Sequence, residues 1–160
     1  MARFMRLGTA RFYWLPAIVS ALKKPTVAEV TAGVRIDDQL LEINGFSFAN
    51  SPIDTRAMSS RYTTQITGED TSEDSNLVLY QLRAETDTIR AALPKDGVGY
   101  MVIFPEGPVG ASVAAGDEVD VWPAAISSNA KIYSADNVAA QYRVVFSMTA
   151  PPAEDTVVLA

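Results

Sequence analysis

The chain of 160 residues contains neither cysteine nor histidine. Without cysteine it cannot form disulfides or use a thiolate nucleophile, and without histidine it lacks the commonest general base and a principal zinc ligand. Most familiar enzyme mechanisms and zinc sites are therefore excluded. Because 48% of the residues are hydrophobic and the length is that of one domain, we expect a single self-sufficient core over residues 1–160.

Long apolar runs are also scarce. The run from Phe12 to Leu22 follows two arginines, as the apolar part of a signal peptide does, but Pro16 interrupts it, no small-residue cleavage site follows it, and two lysines end it. It is well short of the ~20 residues that span a bilayer. We therefore predict no membrane association, and synthesis in the cytoplasm.

Basic residues are few and unevenly distributed. The net charge is −6 and the pI about 4.6, which opposes DNA binding because affinity for DNA comes largely from neutralising phosphates. The first 24 residues nevertheless carry +5 with no acid, and the remainder carries −11. This asymmetry favours self-association in which the basic end meets a neighbour. The alternatives are a solvated basic arm over residues 1–10 and, from the sequence RFMRLGTARFYW, a platform for single-stranded nucleic acid.

Strand patterns dominate what is present. Segments that alternate, or that are apolar on both faces, predict strands. They cover residues 11–15, 34–43, 62–67, 76–82, 98–104, 119–133 as one or two strands, and 139–149. Together they predict a mainly β (α+β) fold, a sandwich or barrel of about seven or eight strands with one flanking helix.

Two helical segments are predicted. Thr26 and Glu29 have the spacing of a capping box at the start of a short helix that Gly33 ends. A longer helix is predicted over 84–93, because its apolar residues recur at helical spacing and Pro94 forbids continuation. Its apolar stripe is expected to cover the sheet.

Turn signals divide the rest of the chain. Asn44-Gly45 is typical of a type I′ turn, whose two central residues need positive φ, so the chain is expected to reverse or bend there. Residues 47–61 hold few apolar side chains and exceed most connections in length, which predicts a long polar loop. After Pro151-Pro152, residues 150–160 are expected to form a C-terminal arm.

No segment predicts a reactive centre. Asp37 and Asp38 are adjacent in an expected strand, so they point to opposite faces and cannot act on one bond. The acidic run GEDTSED lacks the ligand spacing of a calcium loop. GPVGAS lacks the lysine of a phosphate loop. We therefore predict no catalytic residue, no cofactor and no metal site.

The segment NGFSFANSPIDTRAMSSRYTTQITGEDTSEDSNLVLY, residues 44–80, resembles the central part of the tail tube (major tail) proteins of long-tailed, non-contractile phages, particularly those of actinobacterial hosts. Three further segments are similar to family segments in the same order: TVAEVTAG, VWPAAISSNAKIY and VVFSMTAPPAED. The resemblance therefore extends through most of the chain.

The resemblance implies a structural virion protein that assembles with itself into rings, expected to be hexameric. Stacked rings would form the tail tube, the conduit for genome ejection. The implied partners are other copies of the chain, a tape measure protein and tail-end proteins. Double-stranded DNA would pass through the tube without specific binding.

Two sets of residues are candidate contact positions under this hypothesis. The long loop is expected to stack one ring on the next, and its candidate residues are Phe48, Pro52, Ile53, Asp54, Arg56, Met58 and Arg61. Acids are expected to line the lumen and repel DNA phosphates. The candidates are Glu42, Asp117 and Asp120.

Two other classes stay open on the residues alone. A β-rich adhesion or binding module would be a monomer with ligand-binding loops, whereas a tube protein would form large oligomers. A hydrolase of unusual type would need convergent polar side chains, and the titratable residues here are dispersed along the chain. The hydrolase therefore ranks last.

Overall fold

The computed structural model describes residues 3–83 and 86–160. Within them the chain forms ten strands: β1 Arg11–Leu15, β2 Val34–Arg35, β3 Leu40–Asn44, β4 Phe48–Thr55, β5 Thr64–Ser72, β6 Ser75–Tyr80, β7 Val98–Phe104, β8 Glu118–Ile132, β9 Gln141–Met148 and β10 Ala153–Val157. The helical elements are α1 Val27–Ala32, a 3-10 turn Asp37–Gln39 and α2 Thr88–Ala92. No helix in this described part is long and apolar enough to cross a membrane.

Eight strands form one antiparallel sheet in the order β2-β1-β7-β8-β9-β6-β3, and β10 pairs with the start of β8. β8 is the longest strand, with 15 residues, and it pairs with β7, β9 and β10. β4 and β5 form a separate two-stranded sheet. The prediction of a mainly β sandwich with a small helix is confirmed, with ten strands in place of seven or eight.

The main sheet curls around its larger core. Trp14 on β1 and Phe146 on β9 are separated by β7 and β8, which in a flat sheet would put them about 14 Å apart. Their ring centroids are 5.6 Å apart. The strands therefore bend toward each other, and the concave face encloses the buried side chains of β1, β6, β7, β8 and β9 together with Ile89 of α2 and Leu93, which follows that helix.

The convex face of the same sheet has a second core. Leu15, Val102 and Val121 lie on this side of adjacent strands, and α1 covers them with the fully buried side chain of Val30. Val158, which follows β10, completes this cluster. β7 and β8 are consequently buried on both faces, as the doubly apolar sequence of residues 98–104 predicts.

The capping box of α1 is confirmed. The Thr26 hydroxyl accepts from the Glu29 amide at 3.2 Å, and the Glu29 carboxylate accepts from the Thr26 amide at 2.8 Å. Gly33 follows the helix, and its amide donates to the carbonyls of Glu29 and Val30. The short helix is thus closed at both ends, and its one fully buried side chain packs on the sheet.

The longer predicted helix is shorter than expected. α2 begins at Thr88 because the Asp87 carboxylate accepts from the Arg90 amide at 3.1 Å and caps the helix there. Residues 84 and 85 of the predicted helix lie outside the described residues. The prediction that its apolar side covers the sheet is confirmed by the burial of Ile89 and Leu93.

Residues 150–160 do not form the predicted C-terminal arm, since most of the segment is paired within its own subunit. β10 pairs with β8, the Val158 amide donates to the Asp117 carbonyl at 3.0 Å, and the Leu159 amide donates to the Pro25 carbonyl at 2.8 Å. Thr156 and Val158 are two positions apart, so both side chains point into the interior. Their burial holds the segment on its own subunit. By contrast, residues 3–9 are exposed.

Replacing Trp14 with alanine is expected to lower the free energy of unfolding by about 3–5 kcal/mol, because the contact that closes the curled sheet would become a cavity. Urea denaturation followed by circular dichroism measures this change. The exposed Val138→Ala is the control and should change the stability little. A loss below 1 kcal/mol at Trp14 would contradict the role of the Trp14–Phe146 contact.

Candidate assembly surfaces

The most exposed part of the fold is a two-stranded hairpin that leaves the main sheet, which we call the ribbon and define as residues 48–72. β3 pairs with β6 inside the main sheet. The chain continues from β3 into β4 and returns through β5 into β6, and β4 pairs with β5. The two pairs therefore form one long hairpin with a bend in the middle. At ~3.4 Å per residue, the eight residues of β4 extend about 27 Å.

The bend lies at the predicted Asn-Gly turn, but it is not a two-residue hairpin. Positive φ occurs at Gly45 (78°) and Phe46 (54°), and β3 and β4 do not pair with each other. A side chain at Gly45 would come within 2.5 Å of the Asp74 carbonyl. The chain bends here without reversing, since both strands of the hairpin change direction together.

Phe46 fixes the bend to the core. Its amide donates to the Ser75 hydroxyl at 2.9 Å, and its ring packs 6.0 Å from Trp122 and 5.7 Å from Phe146. Across the bend, the Glu73 amide donates to the Ser47 carbonyl at 3.1 Å. The base of the ribbon is thus anchored in the concave core.

The ribbon itself has no core on either face. No residue from 47 to 74 is buried. Ile53 and Ile66 are directly opposite each other on β4 and β5 and are 54% and 55% exposed. The prediction of a loop over 47–61 is therefore wrong for residues 48–55, which form a strand because β5 supplies their hydrogen-bond partners; only the connection 56–63 is irregular.

A β-bulge interrupts the ribbon where Pro52 lies. The register shifts between Ser51 and Ile53, so that an extra residue of β5 is accommodated opposite the proline, which has no amide proton to donate. Gly68 is required there, because a Cβ would lie 1.9 Å from the Ser51 carbonyl oxygen. The Asn50 side chain satisfies both the amide and the carbonyl of Gly68, at 3.1 and 2.9 Å.

All seven predicted stacking residues lie on the ribbon. Phe48, Ile53 and Met58 are exposed, and the Asp54 carboxylate accepts from Gln65 on the opposite strand at 2.8 Å. The two arginines, Arg56 and Arg61, lie in the connection between the strands. The structure adds Ile66 on β5 and Tyr62 in the connection before it, which are also exposed.

A groove of about 690 Å³ lies beside the base of the ribbon. Its walls are the end of β5 and the segment from the end of β9 to the start of β10, with Phe48 at one side. It combines apolar side chains with carboxylates. The acids that line it are Asp70, Glu73, Asp74 and Glu154.

Within the described part of the chain, the ion pairs join Asp37 to Arg11 and Arg35, and Asp38 to Arg35. None of these pairs lies in the groove. Lys23, at the rim, donates to the backbone carbonyl of Pro151 and not to a carboxylate. Burial raises the pKa of the Glu154 carboxyl, and the carboxylates of Asp120 and Asp155 raise it further. The groove therefore concentrates negative charge that its own subunit does not neutralise.

The three predicted lumen acids have different environments. Asp117 is only 3% exposed, and its carboxylate accepts from the amides of Val109 and Ala114. The interpretation of Asp117 as a lumen residue is therefore wrong, since it stabilises the turn-rich segment 105–116. Glu42 is exposed on β3, and Asp120 is half-buried, with its carboxylate accepting from the Asp155 amide at 2.9 Å.

Antiparallel strands that form a closed interior, together with a bare ribbon and an acidic groove, define a β domain whose remaining surfaces suit contact with other protein chains. The sequence matches the Phage tail tube protein family over residues 1–160. The chain belongs to this family. It is a structural protein of the tail tube and is located in the tail of the virion.

Several solved structures have a similar fold. Chains in the virion of a native gene transfer agent particle match with a TM-score of 0.53 and 16% identity, over 79% of this chain and 89% of that one. The tail of the empty particle, refined with C6 symmetry, matches with a TM-score of 0.53 and 14% identity, over 91% and 93%.

The anti-feeding prophage baseplate, 6-fold symmetrised, matches with a TM-score of 0.58 and 7% identity, over 96% of this chain and 97% of that one. At these identities the likeness concerns the fold. Among curated proteins, no match was found.

Replacing Glu154 with glutamine is expected to raise the melting temperature of the dilute, unassembled subunit at pH 7. Since the native-state pKa of Glu154 lies above its ordinary value of 4.5, its ionised form lowers stability at neutral pH. That penalty disappears as the pH falls through the native pKa, and below 4.5 both states are protonated. The gap between variant and wild type should therefore close in acid.

Differential scanning fluorimetry at a series of pH values measures this. Glu106→Gln, on the exposed segment after β7, serves as the control and should behave like the wild type throughout. A Glu154→Gln variant that is less stable than the wild type at pH 7, or equally stable at every pH, would contradict the electrostatic description of the groove.

Proposed function

We propose that this chain assembles with itself into closed rings, and that the rings stack into the tube through which the genome leaves the particle. The observation that carries the proposal is the ribbon, a long hairpin with no core on either face. A two-stranded hairpin by itself is at best marginally stable in water. Contact with another subunit would cover the exposed faces of the ribbon and stabilise the hairpin.

The ribbon supplies the stacking contact in this proposal. Ile53 and Ile66 form an apolar pair on one face, and fully burying such a side chain stabilises by about 1.5–3 kcal/mol. Because these two are already half-covered, each contributes about 1 kcal/mol per subunit. Asp54, Arg56 and Arg61 add surface ion pairs worth ~0 to 1 kcal/mol each. Repetition around the ring multiplies these small terms into a stable stack.

Six subunits per ring is the proposed stoichiometry. It is supported by the C6 and 6-fold symmetry of the particles in which the similar folds occur. A ring needs heterologous contacts, in which each subunit uses two different surfaces. β2 and β3 are the two edges of the main sheet, and pairing each with the other edge of a neighbour would remove the unpaired backbone groups.

The wider assignment follows from the same proposal. Residues 1–160 act as one tail tube domain, with residues 1–10 as an N-terminal arm. The chain is made in the host cytoplasm and meets the tape measure protein and tail-end proteins during tail assembly. DNA passes through the lumen without specific binding, and no catalytic step is part of this function.

Glu42 is proposed to face the lumen, where carboxylates repel DNA phosphates over ~8 Å at physiological salt. Asp120, opposite Ile103 on the other face of the main sheet, is the alternative candidate for the lumen. Particles carrying Glu42→Lys are expected to have tubes of normal width but slower genome ejection, because a ring of cations would bind the passing duplex. DNA release triggered from purified particles measures the rate. Glu42→Gln is the matched control with an intermediate effect, and unchanged ejection of the lysine variant would remove Glu42 from the lumen.

The stacking role of the ribbon is tested with Ile53→Lys/Ile66→Lys. Both side chains are exposed in the subunit, so the variant should fold normally, whereas tubes should fail to elongate because the apolar pair is replaced by like charges. Circular dichroism checks the fold, and electron microscopy checks assembly. Val138→Lys, an exposed apolar residue in the connection between β8 and β9, is the control and should form normal tubes.

Normal tubes from the double lysine variant would refute the stacking role. Wild-type protein that stays monomeric at high concentration would overturn the whole proposal and favour a binding module. A two-fold dimer as the sole assembled species would exclude rings. Mass photometry across a concentration series separates these outcomes.

A further inference from the structure

We propose that the acidic groove beside the ribbon is the binding site for the basic N-terminal segment, residues 3–8, of a neighbouring copy of this chain. The inference rests on the proposed self-assembly and names two surfaces that meet in it. It starts from the groove, which is large, partly apolar and lined by four carboxylates that have no ionic partner within the described subunit.

The N-terminal segment has the matching chemistry. Arg3 and Arg6 supply the positive charge, and no acid lies among the first 24 residues. Three large apolar side chains in the same stretch are exposed: Phe4, Met5 and Leu7. Leu7 is 86% exposed. A segment that alternates arginine with apolar residues needs a groove that offers both carboxylates and apolar walls.

The apolar walls come from residues around the end of β9. Phe146, Met148, Pro151 and Pro152 line the groove next to the acids, and Phe48 closes the side toward the ribbon. Proline and aromatic side chains are suited to covering Met5 or Leu7 of an incoming segment. Charge and apolar surface are thus complementary on the two partners, which fixes register as well as attraction.

The same chain's own N-terminal segment is directed elsewhere. β1, which follows this segment, is separated from β10 by β7 and β8, a distance of about 14 Å across the sheet. The segment ends in a turn in which the Arg6 carbonyl accepts from the amides of Thr9 and Ala10. Thr9 packs against Gly107, so closely that a Cβ at Gly107 would lie 2.5 Å from the Thr9 carbonyl oxygen.

The segment therefore leaves the subunit beside residues 105–116, away from the groove. A contact between the two surfaces on different subunits is heterologous, since each copy offers the segment at one place and the groove at another. This is the contact type from which rings and stacks are built.

Another cationic surface is a weaker partner for the groove. Arg90, Lys95 and Lys131 line a second groove, of about 440 Å³, beside α2. A concave surface cannot enter another concave surface. Arg90 is also engaged in its own subunit, where its guanidinium lies 5.6 Å from the centre of the Tyr142 ring and donates to Asn129. The exposed segment fits the groove in shape as well as in charge.

The acids also gain from this partner. Glu154 lies beside Asp120 and Asp155, and its charged form is disfavoured in the separate subunit. A guanidinium from a neighbour would relieve that repulsion and would pair with two oxygens of one carboxylate. The binding of the segment is therefore expected to weaken with rising salt and with falling pH, as the carboxylates protonate.

The first experiment exchanges the charges. Arg3→Glu/Arg6→Glu and, separately, Glu73→Lys/Asp74→Lys are each expected to raise the concentration needed for assembly by about tenfold or more, because attraction becomes repulsion. The protein that carries all four substitutions should recover assembly close to the wild-type level. Asp136→Lys, which changes an acid outside the groove by the same charge, is the control.

The second experiment uses the absence of cysteine in the chain. Met5→Cys and Ser72→Cys are made as two single-cysteine proteins, mixed, assembled and oxidised. A disulfide between the two kinds of chain is expected, and it can only join different subunits. Met5→Cys mixed with Asp136→Cys is the control and should give little cross-linked product.

The outcomes separate this inference from the proposed function. If the wild type forms no rings or tubes, the proposed function fails. If the wild type assembles normally and the arginine variant assembles equally well, or if the Met5 and Ser72 cysteines do not cross-link in tubes, the inference is overturned while the tube stands. A protein that carries both Met5→Cys and Ser72→Cys offers a further test. If it forms the disulfide within one chain, in dilute and assembled samples alike, the inference is overturned as well.

Discussion

Trp14, Met101 and Trp122 lie side by side on three adjacent strands and point into one core, and the adjoining residues Leu15, Val102 and Val121 point into the other. Burial on both faces leaves the centre of the sheet no free surface for contact with other chains. Surfaces for assembly must therefore lie outside it, as the ribbon, the sheet edges, the groove and the N-terminal segment do. The core thus fixes where a neighbour can bind.

The bend at Gly45 and Phe46 links this core to the ribbon. Phe46 adopts positive φ, which is costly for a residue with a large side chain, and its packing on Trp122 and Phe146 compensates for that cost. The aromatic cluster that closes the curled sheet also fixes where the ribbon leaves it. Groove and ribbon share Phe48 and the end of β5, so a partner in the groove would contact the base of the ribbon.

Sequence patterns predicted the elements whose stability is local or whose burial is complete. Residues 98–104 are apolar on both faces, and the strand has those bounds. The capping box at Thr26 depends only on residues three positions apart, so it forms as the local sequence predicts. β4 was missed because SFANSPIDT has a proline and few β-branched residues, so only its pairing with β5 defines it. Asp117 was misassigned because a carboxylate that caps backbone amides has the same sequence signal as a surface acid.

The groove could not be derived from the sequence, because its walls come from segments some 75 residues apart that only the pairing of β6 with β9 brings together.

The bulge at Pro52 and Gly68 has a further consequence, which concerns subunits that have not yet assembled. Proline and a bulge in an exposed strand, with Glu69 and Asp70 nearby, prevent regular strand-to-strand addition along the ribbon's edges. Separate subunits are thus hindered from joining into cross-β fibres, and in the proposed assembly the faces of the ribbon stay available for stacking.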